Sequence, residues 1–160
     1  MSTPAPERRW IERSVELAIQ TVARGAGGPF GAVVVQGGRE VASGANRVLA
    51  ANDPTAHAEL EAIRAACAAL GTYDLTGCDL YASCEPCPMC LAACNWARLA
   101  RVFYAGTRDD AAAAGFDDSL FYSELALPPA ERRLPLIPLA RETARPAFEA
   151  WNARSDRRAY

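Results

Sequence analysis

The stretch Cys84-Glu85-Pro86-Cys87-Pro88-Met89-Cys90 decides how this chain folds around its chemistry. Its two prolines favour the entry to a helix, and the residues up to about position 100 contain no helix breaker. A helix that begins here places Cys87 and Cys90 on one face at its N-terminal end. The unpaired N–H groups of such an end stabilise a nearby anion by ~0.3–1 kcal/mol, so they favour the thiolate form of cysteine.

A second motif, His57-Ala58-Glu59, precedes the cysteines and contains the only histidine of the chain. Two thiolates and one imidazole are ligands that Zn²⁺ prefers, and a zinc site with three protein ligands leaves its fourth position open for water. A carboxylate beside such a site, but not bound to the metal, can take a proton from that water. The two motifs therefore predict zinc held by His57, Cys87 and Cys90, with Glu59 as the catalytic acid–base.

Two other metal sites use the same cysteines. Cys84, Cys87, Cys90 and Cys94 have nearly the spacing of a ferredoxin cluster, but Asn95 follows where that run has proline, and His57-Ala58-Glu59 is left unexplained. A closed structural zinc site would instead add Cys84 or Cys94 as the fourth ligand. It would leave Glu59 without a role.

The histidine, glutamate and cysteine motifs together have the signature of zinc nucleobase deaminases, His-x-Glu followed by Pro-Cys-x-x-Cys. The chain resembles the cytidine-deaminase superfamily and, within it, is most similar to the bacterial guanine deaminases. The segments that carry this resemblance are Gly27-Gly28-Pro29-Phe30-Gly31-Ala32, Asn52-Asp53-Pro54-Thr55-Ala56-His57-Ala58-Glu59, Ser83-Cys84-Glu85-Pro86-Cys87-Pro88-Met89-Cys90, Ala113-Ala114-Gly115-Phe116-Asp117-Asp118 and Tyr160.

The resemblance implies a three-layer αβα fold with a central mixed sheet of five strands and one zinc ion per chain. It also implies a homodimer in which a C-terminal tail, about residues 152–160, closes an active site, either its own or the partner's. The substrate contacts implied are Phe30, Asn46, Ala58 (backbone), Trp96, Asp118 and Tyr160, with Glu124 as a second proton shuttle. In the family, the asparagine both donates and accepts hydrogen bonds with the base, and the phenylalanine packs on it.

The substrate that the resemblance favours is guanine, which would be converted to xanthine and ammonia. Other aminated rings offer the same chemistry: guanosine, cytosine or cytidine, 5-azacytosine and s-triazines such as ammeline. Ala93-Cys94-Asn95 departs from the bulkier residues usual in guanine deaminases, at a position that lines the expected pocket. A tRNA adenosine deaminase and a non-catalytic zinc module are the more distant alternatives.

Composition limits the partners of the chain. Its 160 residues carry a net charge of −2 with no lysine and no basic run, which disfavours a nucleic-acid partner. No apolar stretch approaches the ~20 residues of a membrane span, and residues 1–10 lack the apolar core of a signal peptide. We therefore expect one cytoplasmic domain over residues 1–160. Cysteines clustered beside a histidine indicate a reducing compartment.

Apolar periodicity predicts the order of the elements. A helix over about residues 7–24 precedes a hairpin of strands 32–35 and 40–43. A helix over residues 55–70 carries His57 on its inner face, and strands follow at 78–83 and 100–105 on either side of the cysteine helix. Strands alternating with helices after a hairpin indicate an α/β fold with a mixed sheet. Ligands in such folds gather where strands end and helices begin.

Overall fold

The computed structural model describes residues 5–159. The chain divides after Asp118 into two compact units, residues 1–118 and 119–160. Both motifs lie in the first unit. The organisation of all 160 residues as one domain stays a prediction.

The first unit is built on a mixed sheet whose strands lie in the order β2-β1-β3-β4. β1 pairs antiparallel with both of its neighbours, and β3 pairs parallel with β4. The strands are β1 (Gly31–Gln36), β2 (Arg39–Ala45), β3 (Cys78–Cys84) and β4 (Arg101–Gly106). The predicted α/β class, the hairpin and the mixed sheet are confirmed.

The five-stranded sheet implied by the resemblance is not found, because the described residues form four strands. After β4 the chain turns directly into helix α5 (Arg108–Ala113). Thr107 and Asp110 form a capping box there, in which each side chain bonds the backbone N–H of the other residue. Such a box stabilises a helix start, so the chain leaves the sheet at this point.

Helices cover both faces of the sheet. Val33 and Val35 point to one face, where they pack with Tyr81 and with Trp10 and Ile11 of α1 (Arg8–Ala23). Ala32, Val34 and Leu80 point to the other face and pack against α3 (Ala58–Leu70) and α4 (Pro88–Trp96). Side chains of a strand alternate between faces, so the continuous apolar run of β1 requires this two-sided burial.

Two glycines let the helices approach the sheet closely. A Cβ at Gly31 would overlap the backbone of Ser14 in α1, and one at Gly44 would overlap the backbone of Ala58 and Ala62 in α3. Ala58, Ala62 and Ala66 are fully buried at four-residue spacing along α3. A stripe of small residues on the helix thus meets a glycine on β2, which places the start of α3 against the sheet.

Gly44→Ala is expected to lower the free energy of unfolding by ~1–3 kcal/mol, because the added methyl overlaps main-chain atoms that cannot rotate away. Urea unfolding followed by circular dichroism measures the change. Ser43→Ala, on the same strand, adds no atom and is the matched control. An unchanged urea midpoint for Gly44→Ala would show that helix and strand can separate without cost.

Some helix boundaries differ from the prediction. α3 begins at Ala58 and not at residue 55, because Asp53 Oδ1 accepts hydrogen bonds from the backbone N–H and hydroxyl of Thr55 and holds a turn there. α4 ends at Trp96, and Arg98 then adopts a left-handed φ of 56°. A short helix α2 (Val48–Ala51), which the sequence did not indicate, follows β2.

The regular elements among the described residues of the second unit are helices, joined by irregular segments. It contains α6 (Ser119–Ala126), a 3₁₀ turn at Pro129–Glu131 and α7 (Arg141–Ala153). Many of its large apolar side chains are exposed, among them Leu125, Leu134, Ile137, Leu139 and Phe148. Over residues 5–159, no helix combines the length and the hydrophobicity needed to cross a membrane.

Candidate metal centre

The candidate ligands lie where two helices of the first unit begin. His57 is the residue immediately before α3, and Cys87 is the residue immediately before α4. Both have an extended backbone, with ψ values of 153° and 168°. His57 was predicted within a helix and is instead its N-cap. The N-terminal ends of two helices therefore face the same group of ligands.

Cys87 Sγ lies 3.6 Å and Cys90 Sγ 3.5 Å from Nδ1 of His57. One ligand atom from each of these residues lies within 4.8 Å of the other two. A tetrahedral zinc ion with Zn–S of ~2.3 Å and Zn–N of ~2.0–2.1 Å separates a nitrogen from a sulfur ligand by ~3.5–3.6 Å. The three residues are therefore spaced to hold zinc.

The charges of the site favour a bound cation. A hydrogen bond from the Cys90 thiol lowers the pKa of Cys87 to about 4, so Cys87 is a thiolate at neutral pH. The same hydrogen bond raises the pKa of Cys90, and the hydrogen bond to Cys87 raises the pKa of His57. The site without metal thus keeps protons that a divalent cation would displace. Both helix N-termini add partial positive charge that stabilises thiolate.

Glu59 lies beside the ligands without joining them. It is in the first turn of α3, is 7% exposed, and its Oε2 lies 3.4 Å from Cys90 Sγ. Burial raises the pKa of this carboxyl group. A carboxyl group in this position can hold or release a proton next to the metal, which is the role that the sequence predicts for it.

The other two motif cysteines are placed outside the ligand group. Cys84 Sγ donates to the Thr107 carbonyl oxygen at 3.4 Å. Cys94 is buried one turn beyond Cys90 on α4, and burial raises its pKa to about 12. In the part of the chain that the structure describes, the group that can hold a metal contains His57, Cys87 and Cys90 alone. A four-cysteine cluster and a closed four-ligand zinc site are therefore disfavoured.

Three of the predicted substrate contacts lie at the same edge of the sheet as the ligands. Phe30 precedes β1, Asn46 follows β2, and Ala58 is the first residue of α3. Since β1 runs antiparallel to both neighbours, the start of β1 meets the ends of β2 and β3. The backbone N–H of Arg47 donates to the carbonyl of Ala56, which ties this edge to the residue before His57.

Asp118 lies within electrostatic range of Cys87. Burial is the main cause that raises the pKa of its carboxyl group, and the negative charge of Cys87 raises it further. The segment that carries Asp118 is attached through Phe116, whose ring contacts that of Phe30 edge-on at 5.1 Å between centroids. No role for Phe116 was predicted from the sequence. Its position next to Asp117 and Asp118, in a segment that carries the family resemblance, could have indicated a place near the site.

The remaining predicted residues are Trp96, Glu124 and Tyr160. Trp96 ends α4, six residues or ~9 Å along the helix beyond Cys90, and is 66% exposed. Glu124 lies in the second unit, where its Oε2 accepts a hydrogen bond from the backbone N–H of Arg133 at 2.6 Å. Tyr160 lies outside the described residues.

The sequence and the structure of the chain are both similar to those of known zinc deaminases. Residues 6–106 match the family described as the cytidine and deoxycytidylate deaminase zinc-binding region. The chain is 50% identical over 151 residues to guanine deaminase of Bacillus subtilis, covering 94% of this chain and 97% of the relative. The X-ray structure of guanine deaminase from Bacillus subtilis superposes with a TM-score of 0.92 at 49% identity, over 98% of this chain and 99% of that chain.

A second relative is similar over a shorter region. The tRNA-specific adenosine deaminase of Agrobacterium fabrum is 47% identical over 96 residues, which is 60% of this chain and 62% of the relative. The family match itself ends at residue 106. The similarity to the Bacillus enzyme therefore extends much further into residues 107–160 than the features shared across the family.

Proposed function

The chain belongs to the cytidine and deoxycytidylate deaminase zinc-binding family, and we propose that it is a zinc-dependent hydrolase that converts guanine and water to xanthine and ammonia. The observation that carries the proposal is the group of three ligands, His57, Cys87 and Cys90, with the buried carboxyl of Glu59 beside it. Guanine is supported by the similarity to a guanine deaminase over 94% of the chain.

Zinc held by His57, Cys87 and Cys90 would supply Lewis acidity, which lowers the pKa of water from ~15.7 towards ~7 and so makes a nucleophile available at neutral pH. Glu59 takes a proton from the attacking water and delivers it to the ring nitrogen next to the amino-bearing carbon. Glu59 then takes the remaining proton from the hydroxyl that the water has added to this carbon and transfers it to the amine. The C–N bond breaks, the hydroxyl oxygen becomes the carbonyl of xanthine, and the amine leaves as ammonia. Its burial within 3.4 Å of a ligand sulfur suits this transfer, since the carboxyl group is shielded from bulk water.

The remaining residues would bind and orient the base. Phe30 and Phe116 supply an aromatic wall, and Asp118 accepts hydrogen bonds from ring N–H groups. The backbone N–H of Ala58 is one of the unpaired donors at the start of α3. We assign Trp96, Glu124 and Tyr160 to substrate contact, proton transfer and closure of the pocket, as the family resemblance implies.

The test is ammonia release from a panel of purified substrates: guanine, guanosine, adenine, cytosine, 5-azacytosine and ammeline. We expect kcat/KM for guanine to exceed that for adenine by ~10²–10⁴-fold, because a site built to hydrogen-bond one set of groups leaves them unpaired against another. Cytidine and a tRNA anticodon stem-loop complete the panel. A strong preference for a pyrimidine or triazine ring would contradict the guanine assignment and leave the zinc chemistry intact.

We also propose a homodimer in which the C-terminal tail closes an active site. The exposed apolar side chains of the second unit, such as Leu134, Ile137 and Leu139, support a further packing partner for this region. Deleting residues 156–160 is expected to lower turnover of guanine at least tenfold, with a change of only a few degrees in melting temperature, because the tail is polar and terminal. Steady-state kinetics and thermal unfolding measure the two effects.

The Tyr160→Phe variant is the control for deletion of the tail. Tyr160→Phe keeps the length of the tail and removes only the phenolic hydroxyl. Normal deamination of guanine by the truncated protein would contradict a closing role for the tail. Light scattering coupled to size-exclusion chromatography tests the dimer independently, and a mass equal to one chain would contradict it.

A further inference from the structure

The side-chain amide of Asn46 is held in one orientation. Asn46 is 4% exposed and follows the last residue of β2. The backbone N–H groups of Gly28 and Val48 contact its Oδ1 at 3.1 and 3.3 Å. Because an N–H group only donates, the atom between them must be the amide oxygen. The amide nitrogen Nδ2 therefore points away from the Gly28–Val48 side.

The backbone of Asn46 is held as firmly as its side chain. The hydroxyl of Thr21, a buried residue of α1, donates to the Asn46 carbonyl at 2.8 Å. The Asn46 N–H donates to the Phe30 carbonyl at 3.0 Å. A Cβ at Gly27 would overlap both Oδ1 and the carbonyl oxygen of Asn46. The Thr21 hydroxyl and the close approach that Gly27 allows thus fix the position of Asn46 from two directions.

This arrangement lies at the metal centre and not elsewhere on the sheet. The residue after Asn46 bonds to Ala56, which adjoins His57. Asn46 donates a hydrogen bond to Phe30. The ring of Phe30 contacts the ring of Phe116, which precedes Asp117 and Asp118 in the chain. A small movement of Asn46 would therefore disturb groups on both sides of the proposed base pocket.

We propose that Thr21 and Gly27 are positioning residues that fix the Asn46 amide, so that Asn46 presents a donor, Nδ2, and no acceptor to the substrate. The site then selects a ring that offers a carbonyl oxygen or unprotonated ring nitrogen at that point. The inference rests on the proposed function and narrows it. It differs from the family expectation that this asparagine both donates and accepts, because Oδ1 already accepts two backbone hydrogen bonds.

The Asn46→Asp variant tests whether Asn46 donates a hydrogen bond to the base or accepts one from it. The carboxylate keeps an oxygen for the N–H groups of Gly28 and Val48 and replaces the donor with a second acceptor. If Asn46 acts as donor, KM for guanine rises about 10- to 100-fold with zinc content and melting temperature near wild type. If Asn46 accepted a hydrogen bond from the base, the variant would keep that contact, so an unchanged or lower KM overturns the proposal.

Two variant pairs test the positioning role. Thr21→Val removes the hydroxyl and leaves the buried Asn46 carbonyl unpaired, so KM is expected to rise about 5- to 30-fold, and Thr21→Ser should restore it. Gly27→Ala should raise KM similarly. Its control is Gly25→Asn, in the same loop, where an added Cβ meets nothing within 4 Å and asparagine tolerates the φ of 61°.

If Thr21 and Gly27 served only the stability of the fold, their variants would show different changes in KM, kcat and melting temperature. Such a role would lower the melting temperature and kcat of Thr21→Val and Gly27→Ala and leave their KM for guanine unchanged, and that result overturns the proposal. The proposed function fails separately, if wild-type protein does not deaminate guanine. The variants are then compared on the substrate of the panel that wild type does accept, and equal KM values for wild type and Asn46→Asp overturn the inference.

Discussion

Glu59→Gln is expected to lower kcat by ~10²–10⁴-fold while the protein keeps its zinc. Glutamine has nearly the size of glutamate, so the packing at the start of α3 persists, but it cannot take a proton from water or carry one to the ring. The carboxyl lies 3.4 Å from a ligand sulfur and outside the group of three ligands, so its loss removes proton transfer and leaves the metal ligands in place.

Three measurements on Glu59→Gln separate the possible roles of this residue. Single-turnover kinetics report the chemical step, elemental analysis reports zinc, and equilibrium binding of guanine reports the pocket. Glu61→Gln, on the same helix but in ion pairs with Arg47 and Arg64, is the matched control. Loss of zinc from Glu59→Gln would show that Glu59 is a ligand and that its assigned role is wrong.

Cys87→Ala is expected to abolish both zinc binding and deamination. Wild-type protein should carry about one zinc ion per chain. The variant leaves two ligands, and it removes the group that is a thiolate at neutral pH, since a hydrogen bond lowers the pKa of Cys87 to about 4. Ammonia release should therefore fall to the background rate, and added zinc should not restore it.

Cys84→Ala is the control for this experiment. Cys84 belongs to the same motif, but its sulfur bonds the Thr107 carbonyl and lies outside the ligand group. The control should keep zinc and activity. Activity of Cys87→Ala without metal would contradict the proposed mechanism, and equal zinc loss from Cys84→Ala would favour a closed structural site.

Local sequence predicted most of the secondary structure. The run Ala32–Val35 with Gly37-Gly38 indicated the hairpin, and the prolines before the cysteines indicated where α4 begins. Local sequence did not predict where α3 begins, because the turn at Asp53 uses hydrogen bonds that compete with helix for the same backbone. The fifth strand came from family resemblance and is not found among the described residues, where Thr107 and Asp110 start a helix instead.

The sequence by itself determined the chemistry that the site can perform. Residue type decides which atoms bind zinc or move a proton, so His57, Glu59 and the Pro-Cys-x-x-Cys motif by themselves indicate a deaminase. Short spacing along one helix also brought Cys87 and Cys90 together. Both properties depend only on side-chain type and near neighbours in the chain.

Only the tertiary structure decided which contacts surround that chemistry. The positions of Cys84 outside the ligand group and of Phe116 against Phe30 depend on contacts between residues far apart in the chain. The direction of the Asn46 amide depends likewise on Thr21, Gly28 and Val48. Gly31 allows α1 to approach the sheet closely, and α1 carries Thr21 to its hydrogen bond with Asn46; the pattern of neighbours along the chain does not encode that approach.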